Sequence, residues 1–371
     1  MNKQPRIACF LATSGHSGVD RVAQNLLPGL AAAGYPVDLL KIRNHGPYLA
    51  EQRPANLRVI ELNARHVYSA LPEILSYLRH HRPAVLLSDK DRVNRTAILA
   101  NALTGGKARL ALRSGTTVSL NLASRGRFER FLQRNSMRYL YRLADAVLMP
   151  SRGAADDFAR AVGLPRERIS VVPSPIITPS YRERLHQPMD HPWFRPGEPS
   201  VILGVGELCR RKDFTTLIRA FAQLSDSYDC RLLILGEGRA RGRLEQEVRQ
   251  RKLEQRISLP GFVANPYPYM KQARLFVLSS LWEGMPVVLI EAMAAGTPVV
   301  ATDCPCGPSE LLGALPGRPL AKPGDVSGLA QAMARQLDNP LPSSLLSASV
   351  ADYTLENSVA SYLAAMALPT G

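Results

Sequence analysis

Two glutamates, Glu283 and Glu291, stand eight residues apart within residues 279–310, SSLWEGMPVVLIEAMAAGTPVVATDCPCGPSE. Gly284 and Pro286 hold the first in a loop. The apolar run behind them predicts a helix over 287–295, closed by Gly296 in the left-handed region. Helix rise puts the two carboxylates about 12 Å apart, too far for either to activate the other. The spacing suits one elongated ligand held at two points. The unsatisfied N–H groups where the helix starts offer an anion a place beside Glu283.

A second stretch, GVGELCRRKDF at 204–214, runs from an apolar strand into a helix. Backbone N–H groups around Gly206 can face a phosphate there. Lys212, helped by Arg210 or Arg211, can neutralise a diphosphate. Carboxylates accept hydrogen bonds from vicinal hydroxyls. A diphosphate at Lys212, a ribose at one glutamate and a hexose at the other together describe a sugar nucleotide.

The elements that must position these groups alternate between short apolar runs and amphipathic stretches. In the first half, strands are expected at 6–11, 36–42, 57–62, 84–88, 109–112, 146–149 and 169–172. Helices are expected at 19–33, 70–80, 95–103 and 127–143, and one more starts from Ser151 as its N-cap. A glycine loop carrying Gly15 and Gly18 follows the first strand. The alternation restarts with strands at 201–205, 231–235, 257–259, 275–278 and 298–301. Prolines at 179, 188, 192, 196 and 199 mark a linker between the halves. The expected architecture is α/β, with two doubly wound Rossmann-like domains facing a cleft that holds the ligand. Its parts are an acceptor-binding domain at 1–178, a linker at 179–199 and a nucleotide-sugar-binding domain at 200–350. A terminal helix within 351–371 is expected to pack back on the first domain.

Composition narrows the function. No apolar run approaches the ~20 residues that span a bilayer, and 371 residues is long for one core. Five scattered cysteines form no framework and suggest a reduced, cytoplasmic protein. Cys304 and Cys306 are too closely spaced for a usual zinc pair. No Asp-x-Asp metal motif is read, so no metal is expected. The net charge of +15 favours polyanionic partners: nucleic acid, anionic lipid or phosphorylated glycans. A nucleic-acid partner would explain the charge but not the paired glutamates, so none is expected. Arg127, Arg130, Arg134, Arg138 and Arg142 recur at helical spacing with Phe128, Phe131 and Leu132 beside them. Such a stripe either faces an anionic membrane surface or is a solvated face over core residues.

With these stretches in view, the sequence resembles family 4 of the retaining, nucleotide-sugar-dependent glycosyltransferases, which have the GT-B fold. The resemblance rests on the loop ending at Lys212-Asp213-Phe214, LILGEG at 233–238, LPGFVANPYPYM at 259–270, EGMPVVLIE at 283–291 and GTPVVATDCPCGPSELL at 296–312. It implies that Glu291 holds the donor ribose and that Glu283 lies beside the transferred sugar, with the backbone of Gly284, Met285 and Pro286. It places Lys212 on the diphosphate and Gly261, Phe262 and Val263 around the base. Gly15 and Gly18 match the loop that approaches the phosphates and the acceptor. Two positions depart from the family pattern. Glu207 stands where relatives carry an arginine, so Arg210 or Arg211 is expected to supply that charge. The segment Arg113–Thr117 lacks the histidine common near the reacting sugar, for which His16 and His45 are the candidates.

The expectation is therefore a retaining, metal-independent hexosyltransferase that uses no cofactor and takes a nucleotide-sugar donor, most readily a UDP-sugar. Its acceptor would be a glycan or a lipid-linked glycan in lipopolysaccharide or surface-polysaccharide synthesis. It would act in the cytoplasm or on the inner face of the membrane. A sugar-nucleotide epimerase of similar fold and a non-catalytic binder of nucleotide sugars or anionic glycans are the alternatives.

Overall fold

The computed structural model describes residues 4–13, 15, 18–115, 117–123 and 126–369. The chain forms two compact units, Met1–Ile176 with Tyr353–Gly371, and Ile177–Asp352.

The first unit is built on seven parallel strands: β1 (Ile7–Leu11), β2 (Val37–Ile42), β3 (Leu57–Leu62), β4 (Val85–Asp89), β5 (Arg109–Arg113), β6 (Ala146–Met149) and β7 (Ile169–Val171). Their spatial order is β3-β2-β1-β4-β5-β6-β7. All five residues of β1 and of β4 are buried. This is why the strands read as unbroken apolar runs: crossover helices cover both faces of a parallel sheet. The helices are α1 (Gly18–Ala32), α2 (Leu71–His81), α3 (Asp91–Leu103), α4 (Val118–Ala123), α5 (Arg127–Leu140) and α6 (Arg152–Val162). Ser151 caps α6 by accepting from the Ala154 N–H. The predicted helix over 127–143 is α5 followed by a 3-10 turn at Tyr141–Leu143.

In the second unit the segment expected as a linker holds a helix, α7 (Pro179–Leu185), and a 3-10 turn at Pro192–Phe194. Proline did not prevent the helix, because Pro179 sits in its first turn, where its missing N–H and fixed φ cost nothing. The Thr178 side chain caps it from the Tyr181 N–H. The parallel strands β8 (Ser200–Val205), β9 (Cys230–Leu235), β10 (Ile257–Gly261), β11 (Leu275–Leu278), β12 (Val299–Thr302) and β13 (Leu320–Ala321) follow, in spatial order β10-β9-β8-β11-β12-β13. Their helices are α8 (Phe214–Leu224), α9 (Arg241–Gln250), α10 (Tyr267–Gln272), α11 (Val287–Ala294), α12 (Pro308–Leu312), α13 (Val326–Asp338) and α14 (Ser343–Ala348). Helix α15 (Leu355–Ala365) belongs to the first unit again. It lies against α1 where Gly29 leaves room: a Cβ there would sit 2.8 Å from Leu355 Cδ1 and from Val359 Cγ2. Tyr362 and Met366 join the first-unit core with Ile7, Leu30 and Leu148.

Each sheet reverses its winding direction once, between β1 and β4 and between β8 and β11. In doubly wound folds the crevice beyond the carboxyl ends of such strands is where ligands bind. The loops leaving β8 and β11 carry Lys212 and Glu283.

Candidate active site

After β8 the chain turns through Gly206, whose N–H bonds the Leu235 carbonyl at 3.0 Å. The loop lies flat against the turn after β9. A Cβ on Gly236 would fall 1.9 Å from the Gly206 carbonyl oxygen, and one on Gly238 would fall 2.4 Å from that of Leu208. Only glycine permits this approach. A 3-10 turn at Arg210–Lys212 then leads into α8, and Lys212 is buried there.

Glu283 enters from the loop after β11. Lys212 Nζ donates to its Oε1 at 2.7 Å, Ser280 Oγ donates to the same oxygen at 2.7 Å, and Arg211 donates to Oε2 at 2.5 Å. Burial pushes the Glu283 carboxyl up, but the charges of Lys212 and Arg211 outweigh it and hold the group below the usual carboxylate range. The site is thus one fixed carboxylate bound to two cations, with positive charge left over. Lysine has three donors and arginine five, so the pair can hold Glu283 and still face an anion. The Ser279 hydroxyl bonds the Lys212 carbonyl at 2.8 Å, and the Leu281 N–H bonds the Arg211 carbonyl at 2.7 Å, locking the two loops together.

The Glu283 N–H bonds the Pro305 carbonyl at 3.2 Å, which ties in the Cys304–Gly307 loop. Burial, and then the Glu283 charge, push the Cys304 thiol up to about 12. Gly307, at φ +101°, leaves space that a Cβ would take from Pro286 Cδ at 2.5 Å. Gly284, Met285 and Pro286 are buried where α11 begins. Glu291 is fully buried further along α11. Tyr267 donates to its Oε1 at 3.2 Å, and Tyr181 donates to its main-chain carbonyl at 2.7 Å. Gly261 ends β10 at φ +105°, followed by Phe262, which is exposed, and Val263, which is half-buried.

Glu207 and Arg210 are exposed, whereas Arg211 reaches Glu283. The sequence reading separated Lys212 and Glu283 by role, and the structure joins them in one ion pair. Ser280, Tyr267 and Tyr181 were not foreseen. Ser280, three residues before Glu283, and Tyr267, within the NPYPYM run, were visible but carry no local signal of function.

In the first unit the Gly15 N–H donates to Asp20 Oδ1 at 3.1 Å, and Thr13 donates to the same oxygen. Asp20, in the first turn of α1, thereby holds both Thr13 and the Gly15 N–H. His16 lies outside the described residues, and the His45 ring bonds the Arg43 carbonyl. At the end of β5, Arg113 is buried against Asp89 and donates to Tyr362 Oη at 2.7 Å and to Ser174 Oγ at 3.2 Å. The sequence does contain one Asp-x-Asp spacing, Asp89-Lys90-Asp91, contrary to the expectation of none. Asp89 pairs with Arg113, and Asp91 takes bonds from Arg95, Gln133 and Tyr141. Asn94 links the two sets, donating to the Arg113 carbonyl at 2.8 Å and to Tyr141 Oη at 3.0 Å.

Helix α5 buries Gln133 and Met137, while Arg127, Arg130, Arg134 and Arg138 are exposed. Phe128 and Phe131 are also exposed, at 74% and 63%, as are Leu132 and Tyr139. The bulky apolar residues beside the arginines are thus surface, not core. No helix among the described residues is long and apolar enough to cross a membrane.

Residues 17–175 match the family model of the glycosyl transferase 4-like domain, and residues 199–339 match that of glycosyl transferases group 1. With two parallel-sheet units of this topology, the chain belongs to the glycosyltransferase superfamily of GT-B fold. Among its relatives is a Campylobacter jejuni N-acetylgalactosaminyltransferase acting on a diphospho-undecaprenol-linked sugar. It is 28% identical over 83% of this chain and 83% of that one. An amylovoran biosynthesis glycosyltransferase of Erwinia amylovora is 25% identical over 81% of each. An uncharacterized glycosyltransferase of Methanocaldococcus jannaschii is 28% identical over 47% of this chain, which spans 44% of that protein's length. Among solved structures, HepE of Anabaena in complex with UDP superposes with a TM-score of 0.77 at 17% identity, covering 98% of this chain and 99% of that one.

Proposed function

We propose that this protein is a retaining hexosyltransferase that needs neither metal nor cofactor. It moves a sugar from a nucleotide diphosphate, most readily UDP, to a glycan or lipid-linked acceptor in lipopolysaccharide or surface-polysaccharide synthesis. The observation that carries this reading is the buried Glu283 held by Lys212 and Arg211 at the switch point of the second sheet. Lys212 and Arg211 take the diphosphate, with the Gly206 loop beneath it. Glu283 accepts from hydroxyls of the transferred sugar, beside the backbone of Gly284, Met285 and Pro286. Glu291 accepts from the ribose, and the Gly261–Val263 turn frames the base. Gly15 and Gly18 are assigned to the acceptor and phosphate loop.

In the reaction the bond from the anomeric carbon to the diphosphate oxygen breaks. The acceptor oxygen bonds the same face of that carbon, which preserves configuration. The acceptor proton passes to the leaving phosphate, and the positive charge in excess of Glu283 stabilises that phosphate as its charge grows. The support for lipid-linked glycans is the acceptor named for the Campylobacter relative.

Helix α5 supports a cytoplasmic protein docked on the inner face of an anionic membrane. At about 100° per residue, Phe128, Phe131, Leu132 and Tyr139 share one side of the helix. That side lies opposite the buried Gln133 and Met137, and Arg127, Arg130, Arg134 and Arg138 run along one edge between the two. Salt-sensitive sedimentation with anionic liposomes is expected. Binding that survives Arg130→Gln, Arg134→Gln and Arg138→Gln together would refute it. For the site, the test is thermal stabilisation by UDP-, GDP- and ADP-sugars, since a ligand of the folded state raises the melting point by mass action. Stabilisation by none of them would refute the donor assignment. Turnover of a UDP-sugar without acceptor would favour an epimerase.

A further inference from the structure

Glu283 is gripped by cations, whereas Glu291 takes a hydrogen bond at Oε1 from a neutral phenol, Tyr267. The phenol is itself closely fixed. Tyr267 opens α10 and is almost fully buried. Its ring meets Tyr181 edge-on, with centroids 4.7 Å apart, and the Arg184 guanidinium lies 4.9 Å from its centroid. Tyr181 in turn bonds the main-chain carbonyl of Glu291 at 2.7 Å. The two tyrosines thus reach one glutamate from two elements, one at its backbone and one at its carboxylate. Arg184 bonds the Ala264 carbonyl at 2.6 Å, and Asn265 bonds the Arg184 carbonyl at 2.9 Å, so α7 is fastened over the start of α10.

We infer that Tyr267 is a positioning residue: its hydroxyl sets the rotation of the Glu291 carboxylate so that the carboxylate receives the two ribose hydroxyls, and it thereby creates the preference for a ribonucleotide donor. This rests on the reading of Glu291 as the ribose site. A carboxylate has lone pairs on both oxygens. A neutral donor fixes its orientation without cancelling the charge that the ribose hydroxyls need. A cation in the same place would hold the group equally well and weaken it as an acceptor.

The test is calorimetric titration of the full chain with UDP, 2′-deoxy-UDP and 3′-deoxy-UDP. The wild-type protein is expected to prefer UDP by about tenfold, the scale of one hydrogen bond to a charged group. Tyr267→Phe keeps the ring contacts and should reduce that preference to about twofold. Tyr181→Phe disturbs the same neighbourhood without touching the carboxylate and should keep the preference. In a Glu291→Gln background, Tyr267→Phe should change the preference no further. If Tyr267→Phe does not fold, Glu291→Asp withdraws the carboxylate from the hydroxyl by one methylene and should show the same loss. A preference that survives Tyr267→Phe would overturn the inference alone, and one that survives Glu291→Asp, where that variant is used, would overturn the ribose reading of Glu291 with it. A preference lost equally in Tyr181→Phe would again overturn the inference alone. A wild-type protein that binds UDP and its deoxy forms equally, or binds none of them, would overturn the donor reading and the inference with it.

Discussion

Replacing Lys212 by methionine separates two consequences of the central ion pair. Lys212 and Glu283 are 2.7 Å apart with side chains 8% and 6% exposed, so neither charge is compensated by water. Removing one partner of such a pair costs about 3–5 kcal/mol. Arg211 and Ser280 still bond the carboxylate, which keeps the loss near the low end, about 3 kcal/mol. In the proposed reaction the same ammonium would meet the charge that grows on the leaving phosphate, and one preorganised donor of this kind is worth about 10²–10³ in kcat. Lys212→Met should therefore lose about 3 kcal/mol in urea unfolding and about a hundredfold or more in UDP release from a UDP-sugar with a lipid-linked glycan acceptor. Adding Glu283→Gln removes the carboxylate that burial penalises and leaves Arg211, whose side chain is 32% exposed, to water. The double variant should regain most of the stability and none of the activity. If Lys212→Met transfers sugar within tenfold of wild type, the catalytic role assigned to the pair is wrong. If the double variant is no more stable than Lys212→Met, the electrostatic account of the pair is wrong.

Three further outcomes follow from the same structure. Gly236→Ala drives a Cβ into the Gly206 carbonyl and should cost about 2–4 kcal/mol in urea unfolding and weaken UDP binding, read by titration. Thr178→Ala removes the α7 cap and should cost about 1 kcal/mol in the same unfolding assay. Glu247 is held down at about 2 by hydrogen bonds from Arg219 and then Arg251. Its folded value lies below the unfolded 4.5, so its contribution is present above pH 4.5 and is lost as pH falls toward 2. The stability of Glu247→Gln should fall less steeply than that of wild type across that window, as followed by thermal melts.

The sheets could be read from the sequence because strands buried on both faces must be continuously apolar, as at Ile7–Leu11 and Leu275–Leu278. The start of α6 was legible from Ser151 and the close of α11 from Gly296, because capping is local chemistry. Helix α7 was hidden because proline reads as a breaker unless its place in the first turn is known. The polar contacts of the site were hidden for another reason. Lys212 is 71 residues from Glu283, and Tyr181 is 110 residues from Glu291. Nothing local in either segment encodes the other, so only the parallel order of β8 and β11 brings the first pair together. The sequence also could not say whether the apolar residues of α5 were core. That depended on which side of the helix the first unit buries, and it buries Gln133 and Met137.

The C-terminal helix has a consequence for how the chain is made. Arg113, at the end of β5, completes its hydrogen bonds on Tyr362 of α15, and the two residues are separated by 249 positions. The whole of Ile177–Asp352 is synthesised between them. On the ribosome the second unit is contiguous and can close as it emerges. The first unit, although begun earlier, must wait with the α1 groove around Gly29 uncovered until α15 arrives. The nascent chain therefore finishes its first-made unit last, and the exposed groove is where a chaperone would be engaged longest.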